Sequence, residues 1–171
     1  TLLAEGSTGT DTGNIFDASS VTVAAGATFG LIGAGGANET IGNLSGVAGS
    51  FLTLGGTGTL TTNVTAANTF SGVISGTGNF TKAGSGTLIL DADNSYTGAT
   101  TVNGGILEIG DAGAIDNSTS VTTGAGAQLT GTVAYVINAP VTNVGRIAGD
   151  VTINGDLANS GGLLPGNSSI P

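Results

Sequence analysis

Apolar residues along this chain come in ones and twos, fenced by Gly, Ser, Thr, Asn or Asp. The spacing is clearest in Val21-Thr22-Val23, Leu52-Thr53-Leu54, Leu88-Ile89-Leu90, Leu107-Glu108-Ile109 and Val151-Thr152-Ile153. A period of two places the outer pair on one face of a strand and the middle residue on the other. Short alternating runs between clusters of turn formers predict brief strands joined by tight turns, and no helix fits that punctuation. Ile89 is the exception, an apolar residue where solvent is expected.

Strands this short cannot build a core singly, so their recurrence matters. Apolar anchors fall at Val21, Ile41, Leu60, Phe80, Val102, Val121 and Val141, with gaps of 20, 19, 20, 22, 19 and 20 residues. A fixed period of that size marks a solenoid, in which each turn buries the open rim of the one before it. The predicted fold is all-β, a right-handed parallel β-helix with coils of about 20 residues, the hand following the preference of parallel crossovers. About eight coils stacked some 4.8 Å apart give a rod on the order of 40 Å long. The predicted inward set is the five pairs above with Phe29, Ile41, Leu44, Leu60, Val64, Phe70, Ile74, Phe80, Val102, Val121, Leu129, Val136, Val141, Ile147 and Leu157.

Composition sharpens this picture. The 171 residues include 33 Gly without a strict three-residue period, which excludes collagen, and 39% of the chain is hydrophobic, which sets it apart from disordered chains. With five Phe, two Tyr and no Trp, the core must be thin and aliphatic. No shift in composition marks a second domain, so residues 1–171 read as one unit, with an irregular entry at 1–14 and an irregular exit at 161–171. Cys and His are both absent, which removes disulfides, thiolate or imidazole metal sites and the Ser-His-Asp and Cys-His constellations. Lys82 and Arg146 are the only cations against 11 acids, a net charge of −9, which speaks against nucleic acid as a partner. No apolar run is long enough for a membrane-spanning helix, and the amino terminus lacks the order of a signal peptide.

Residues 76–110 read GTGNFTKAGSGTLILDADNSYTGATTVNGGILEIG. This stretch resembles the passenger-associated transport repeat of bacterial autotransporters, with Gly76, Gly78, Lys82, Gly84, Gly86, Thr87, Leu88, Leu90, Asn94, Tyr96, Gly98, Thr100, Val102, Gly105, Leu107 and Gly110 in the family's places. Residues 21–29, 41–45, 70–76 and 121–129 resemble passenger segments as well. The PGNS at 165–168 resembles a passenger motif, although Ser169, Ile170 and Pro171 follow it here. The resemblance implies a right-handed β-helical stalk on the outside of a bacterium, exported through periplasm and outer membrane, supporting secretion and adhesion or self-association. Its implied partners are its own C-terminal translocator barrel, further copies of itself, and a host-cell receptor or matrix, with no direct membrane insertion. A released passenger acting as a toxin or receptor ligand is the alternative, and a polysaccharide-active β-helix enzyme comes third.

The candidate chemistry is sparse. Asp91, Asp93, Asp111 and Asp116 flank the best strands, but none sits in a calcium-binding nonapeptide, and each reads as a turn cap. Lys82 and Arg146 stand far apart without concentrated acids beside them, so no enzyme, metal or cofactor is expected. The Gly-x-Gly pairs lack the Lys-Ser/Thr of a phosphate-binding loop and read as turns. Tyr96 reads as packing within the repeat, and exposed Thr and Asn ladders along one flank are the better interaction surface.

Overall fold

The structure is a computed structural model that describes residues 2–5, 19–32 and 38–166. Within them every regular element is a short strand of three to five residues, and every pairing between strands is parallel. The chain winds into a β-solenoid of about seven turns. Each turn passes over three faces. One face has eight strands, from Val21–Val23 to Gly162–Pro165, and the next in chain order along a coil is a third, interrupted face. A seven-stranded face, from Glu39–Ile41 to Leu157–Asn159, closes the turn.

The third face carries four paired strands, Leu2–Glu5, Thr28–Ile32, Phe51–Leu54 and Val73–Gly76, and later the pair Tyr135–Ile137 and Val151–Ile153. Between those two groups only the bridge from Asp93 to Ala114 remains. The interruption coincides with the repeat. Strands therefore also occur in stretches expected to be irregular, Leu2–Glu5 within 1–14 and Gly162–Pro165 within 161–171. In both, backbone pairing to the neighbouring coil, with Thr28–Ile32 and with Arg146–Gly149, holds the segment extended whatever its side-chain pattern. The rest of 1–14 and residues 167–171 lie outside the described residues.

The core is one continuous cluster running along the axis, and it includes Leu44, Leu52, Leu60, Phe70, Phe80, Leu88, Leu107, Val121 and Leu129. Inward residues stack on their counterparts a coil away, Leu60 on Phe80, Leu88 on Leu107, Leu107 on Leu129. Two members of the predicted set do not belong. Val136 is 41% exposed, because in Tyr135–Ile137 the flanking residues turn inward. Leu157 is 38% exposed and lies in the last described strand of its face, with no described coil beyond it. Ile89 faces outward but is half-buried.

Candidate functional site

The repeat is built around polar side chains that point into the solenoid. In Asn79–Ala83 the burial alternates, so Phe80 and Lys82 face inward while Thr81 faces out. Lys82 is fully buried, and its ammonium donates to the carbonyl oxygens of Ala83 at 2.9 Å, Gly84 at 3.0 Å and Gly104 at 2.8 Å. An ammonium has three hydrogens, and all three are used. Gly104 belongs to the next coil, so this one side chain ties two coils together at their corner. Burial pushes the lysine's pKa down to about 8, which leaves it charged at neutral pH.

The inner column containing Lys82 is polar over much of its length. In register it runs Ile41, Thr62, Lys82, Val102, Thr123 and Asn143, all buried. Thr62 donates its hydroxyl to the Gly42 carbonyl one coil back, and Asn143 donates its amide to the Gly162 carbonyl one coil on. Thr123 Oγ1 and Asn143 Oδ1 are buried without a hydrogen bond to any of the described residues.

Residues 91–99 cross the interrupted third face in extended form but outside any strand. Ala92, Asn94, Tyr96 and Gly98 point inward there, and Asp93, Ser95 and Thr97 are exposed. The Ser95 and Thr97 amides donate to Ile74 and Gly76 in the coil before. Buried Asn94 supplies what the missing ladder would have supplied. Its Oδ1 accepts from the Ile74 amide at 2.9 Å, and its Nδ2 donates to Ala92 and Ala114 carbonyls at 2.8 and 3.0 Å. Three successive coils therefore meet at one amide. The Asn117 side chain adds a longer bond to the Asn94 carbonyl.

Tyr96 fills the core beside these groups. Its ring lies 6.2 Å from that of Phe80 at a 56° tilt, and its hydroxyl bonds Thr100 Oγ1 at 2.6 Å. Thr100 in turn bonds Ser118 Oγ at 2.7 Å, one coil further on. Burial raises the Tyr96 pKa, with the Thr100 and Ser118 hydroxyls working the other way. The phenol stays protonated across the physiological range.

The repeat glycines mark close approaches between coils. A Cβ on Gly98 would collide with the Gly78 carbonyl, and one on Gly76 with that of Leu54. Gly105, at φ +59°, turns over the carbonyls of Gly84 and Gly86. Gly110 packs against the Asp91 carboxylate. Leu88, Leu90, Val102 and Leu107 are buried in the core, and Thr87 is a half-buried outward residue paired with Ile106. The sixteen repeat positions thus lie along consecutive coils.

The passenger-associated-transport-repeat family model matches residues 80–109, which hold Lys82, Asn94, Tyr96 and Thr100. A curated relative, the adhesin BmaC autotransporter of Brucella suis biovar 1 (strain 1330), is 37% identical over 124 residues, or 70% of this chain. Residues 80–109 are a passenger-associated transport repeat, and the chain is similar to autotransporter passenger β-helix. The chain spans 4% of the length of that relative. No solved structure matches it significantly.

Elsewhere among the described residues the acids do not converge. Asp91 Oδ1 accepts from the Ala112 amide at 3.3 Å, Asp111 Oδ1 from the Thr132 hydroxyl at 2.6 Å, and Asp116 Oδ1 from the Asn117 amide at 3.2 Å. The first two are bonds to the next coil. Among the described residues no three His, Cys, Asp or Glu side chains gather as metal ligands would, and no helix is long and apolar enough to cross a membrane. Sequence reasoning missed the buried polar column and read Lys82 as a repeat residue and a scarce cation, not as a buried donor. The signal was present: Phe80-Thr81-Lys82 carries the same two-residue alternation as the apolar pairs.

Proposed function

We propose that this segment is a stalk of a surface-displayed adhesin, and that its repeat supports export by giving each emerging coil a template. The carrying observation is the bonding of Lys82 at a corner and of Asn94 on the third face, where the strands are lost, which fastens consecutive coils side chain to backbone. Strands pair only with those one coil away, so a chain leaving a pore amino or carboxyl end first adds coils without distant contacts. The adhesin name of the relative favours a spacer or adhesive rod.

The test places the segment in its parent protein on intact cells. Lys82→Met and Asn94→Ala are compared with wild type for protease-accessible passenger at the surface and for attachment to host cells or matrix. Less surface passenger, with chains stalled in the periplasm, is the expected result. Undiminished display by both variants overturns the export role. A soluble wild-type segment that binds a host receptor tightly, or that turns over a polysaccharide, overturns the stalk reading in favour of a released ligand or an enzyme.

A further inference from the structure

Two Asn-Gly dipeptides occur in the chain, Asn103-Gly104 and Asn154-Gly155. Each directly follows a strand, Thr100–Val102 or Val151–Ile153, and both asparagines are exposed. Their backbone amides bond the coil before in the same way, Asn103 to the Lys82 carbonyl at 2.8 Å and Asn154 to the Ile137 carbonyl at 2.9 Å. In neither dipeptide does the glycine amide hydrogen-bond to another described residue.

The two differ in what the register sets beside the side chain. Carrying the pairing of Tyr135–Ile137 with Val151–Ile153 one residue further puts Asn154 on Asn138, and Asn154 Nδ2 donates to Asn138 Oδ1 at 2.7 Å. The same step from Lys82, Val102 and Thr123 puts Asn103 between Ala83 and Gly124, whose side chains offer neither donor nor acceptor. A Cβ on Gly124 would stand 3.6 Å from Asn103 Oδ1. The Asn103 carboxamide accordingly makes no hydrogen bond to any described residue, whereas that of Asn154 is held by its neighbour.

We propose that Asn103 is a site of spontaneous succinimide formation, and that its conversion to isoaspartate opens the joint that Lys82 makes between coils. Glycine has no side chain to keep its nitrogen away from the neighbouring carboxamide carbon. The Gly104 nitrogen gives up its proton and bonds Asn103 Cγ, the Cγ–Nδ2 bond breaks, and ammonia leaves carrying that proton. Water then adds to one of the two imide carbonyls and breaks its bond to the nitrogen, giving aspartate or isoaspartate. In isoaspartate the main chain runs through Cβ and Cγ, one atom longer, and a carboxylate is set free. The next carbonyl along is that of Gly104, which accepts from Lys82 Nζ at 2.8 Å. Of the three carbonyls on that ammonium it alone belongs to the following coil, since Ala83 and Gly84 adjoin the lysine. A displaced Gly104 leaves a buried ammonium short of an acceptor and the two coils without their side-chain tie. The chemistry needs only water and the folded chain, so it stands or falls independently of the export role.

The full chain is aged for several weeks at physiological pH and body temperature, and both dipeptides are followed by peptide mapping, with the mass gain of about 1 Da and enzymatic isoaspartyl methylation as readouts. Asn103 is expected to convert roughly fivefold faster than Asn154 or more, because Asn154 must first break its bond to Asn138. Asn138→Ala is expected to bring Asn154 to within about twofold of Asn103, and Ala83→Asn, which seats a bonding partner beside Asn103, to slow that site severalfold. Equal rates at the two sites of the wild type, or no conversion at Asn103, overturn the proposed site. Urea denaturation of the aged protein tests the consequence. Chains carrying isoaspartate at 103 are expected to unfold at lower urea than unmodified chains, while aged Asn103→Ser, which has no carboxamide to cyclise, keeps its midpoint. An unchanged midpoint for the isoaspartyl chains, or an equal downward shift on ageing in Lys82→Met, overturns the opening of the lysine joint.

Discussion

At the scale of single residues, the repeat is a set of buried polar groups whose partners lie in other coils. Lys82 gives the sharpest consequence. The unfolded chain holds its lysine proton to about pH 10.5, whereas the folded chain releases it near 8. Between those values the unfolded state binds more protons, so stability rises with pH. From pH 8 to 10 the gain is on the order of 2–3 kcal/mol, read as an upward shift of the urea midpoint, and Lys82→Met is expected to abolish it. Above pH 10 the buried tyrosines act oppositely, since burial raises the pKa of Tyr96 and Tyr135 and their stabilisation is lost as the pH climbs. At neutral pH Lys82→Met itself is expected to cost about 2–4 kcal/mol, because it strips a charged donor from buried carbonyls. Thr123→Val is expected to go the other way and stabilise by roughly 1 kcal/mol, because it removes a buried hydroxyl that has no partner. Chemical denaturation of the two variants checks both signs.

At the scale of strands and turns, alternation decides which face a residue takes. The period of two was legible wherever apolar pairs flank a Thr or Glu, and Leu52, Leu54, Leu107 and Ile109 are buried accordingly. It failed at Tyr135–Ile137, where three apolar residues in a row leave the phase open, and the tyrosine settles it by bonding the Ala148 carbonyl from inside at 3.0 Å. Ile137→Ala is therefore expected to destabilise by about 2–5 kcal/mol, and Val136→Ala by less than about 0.5. Comparable losses would contradict the phase. The anchor period was legible too, but its gaps mixed neighbouring columns. Ile41 stacks on Thr62 and Val102 on Lys82, whereas Leu60 and Phe80 lie one column over, followed by Thr100 and Val121. An anchor search restricted to apolar residues cannot see a column whose members include Thr62, Lys82 and Thr123. The polar part of the site was hidden for the same reason. Asn94 and Lys82 stood out as repeat residues, but their burial depends on backbone carbonyls and an amide contributed by chain 20 or more residues away.

At the scale of the whole molecule, the solenoid is a linear stack whose coils touch mainly their neighbours, so its properties should grow with coil number. Close stacking leaves little room at the crossings. Gly98→Ala is expected to lower the thermal midpoint by many degrees, because the new methyl group meets the Gly78 backbone and the coils must part. The central claim is that successive turns pile up in register along one axis. Spin labels placed in pairs at Thr61 and Thr101, Thr61 and Thr122, and Thr61 and Thr142 test it most directly, since these outward positions are two, three and four coils apart on one face. Backbone separations of about 10, 14 and 19 Å, rising by a constant step per coil, are the expected result. Distances that fail to rise in that order, as in a sandwich or a folded-back sheet, would contradict the account.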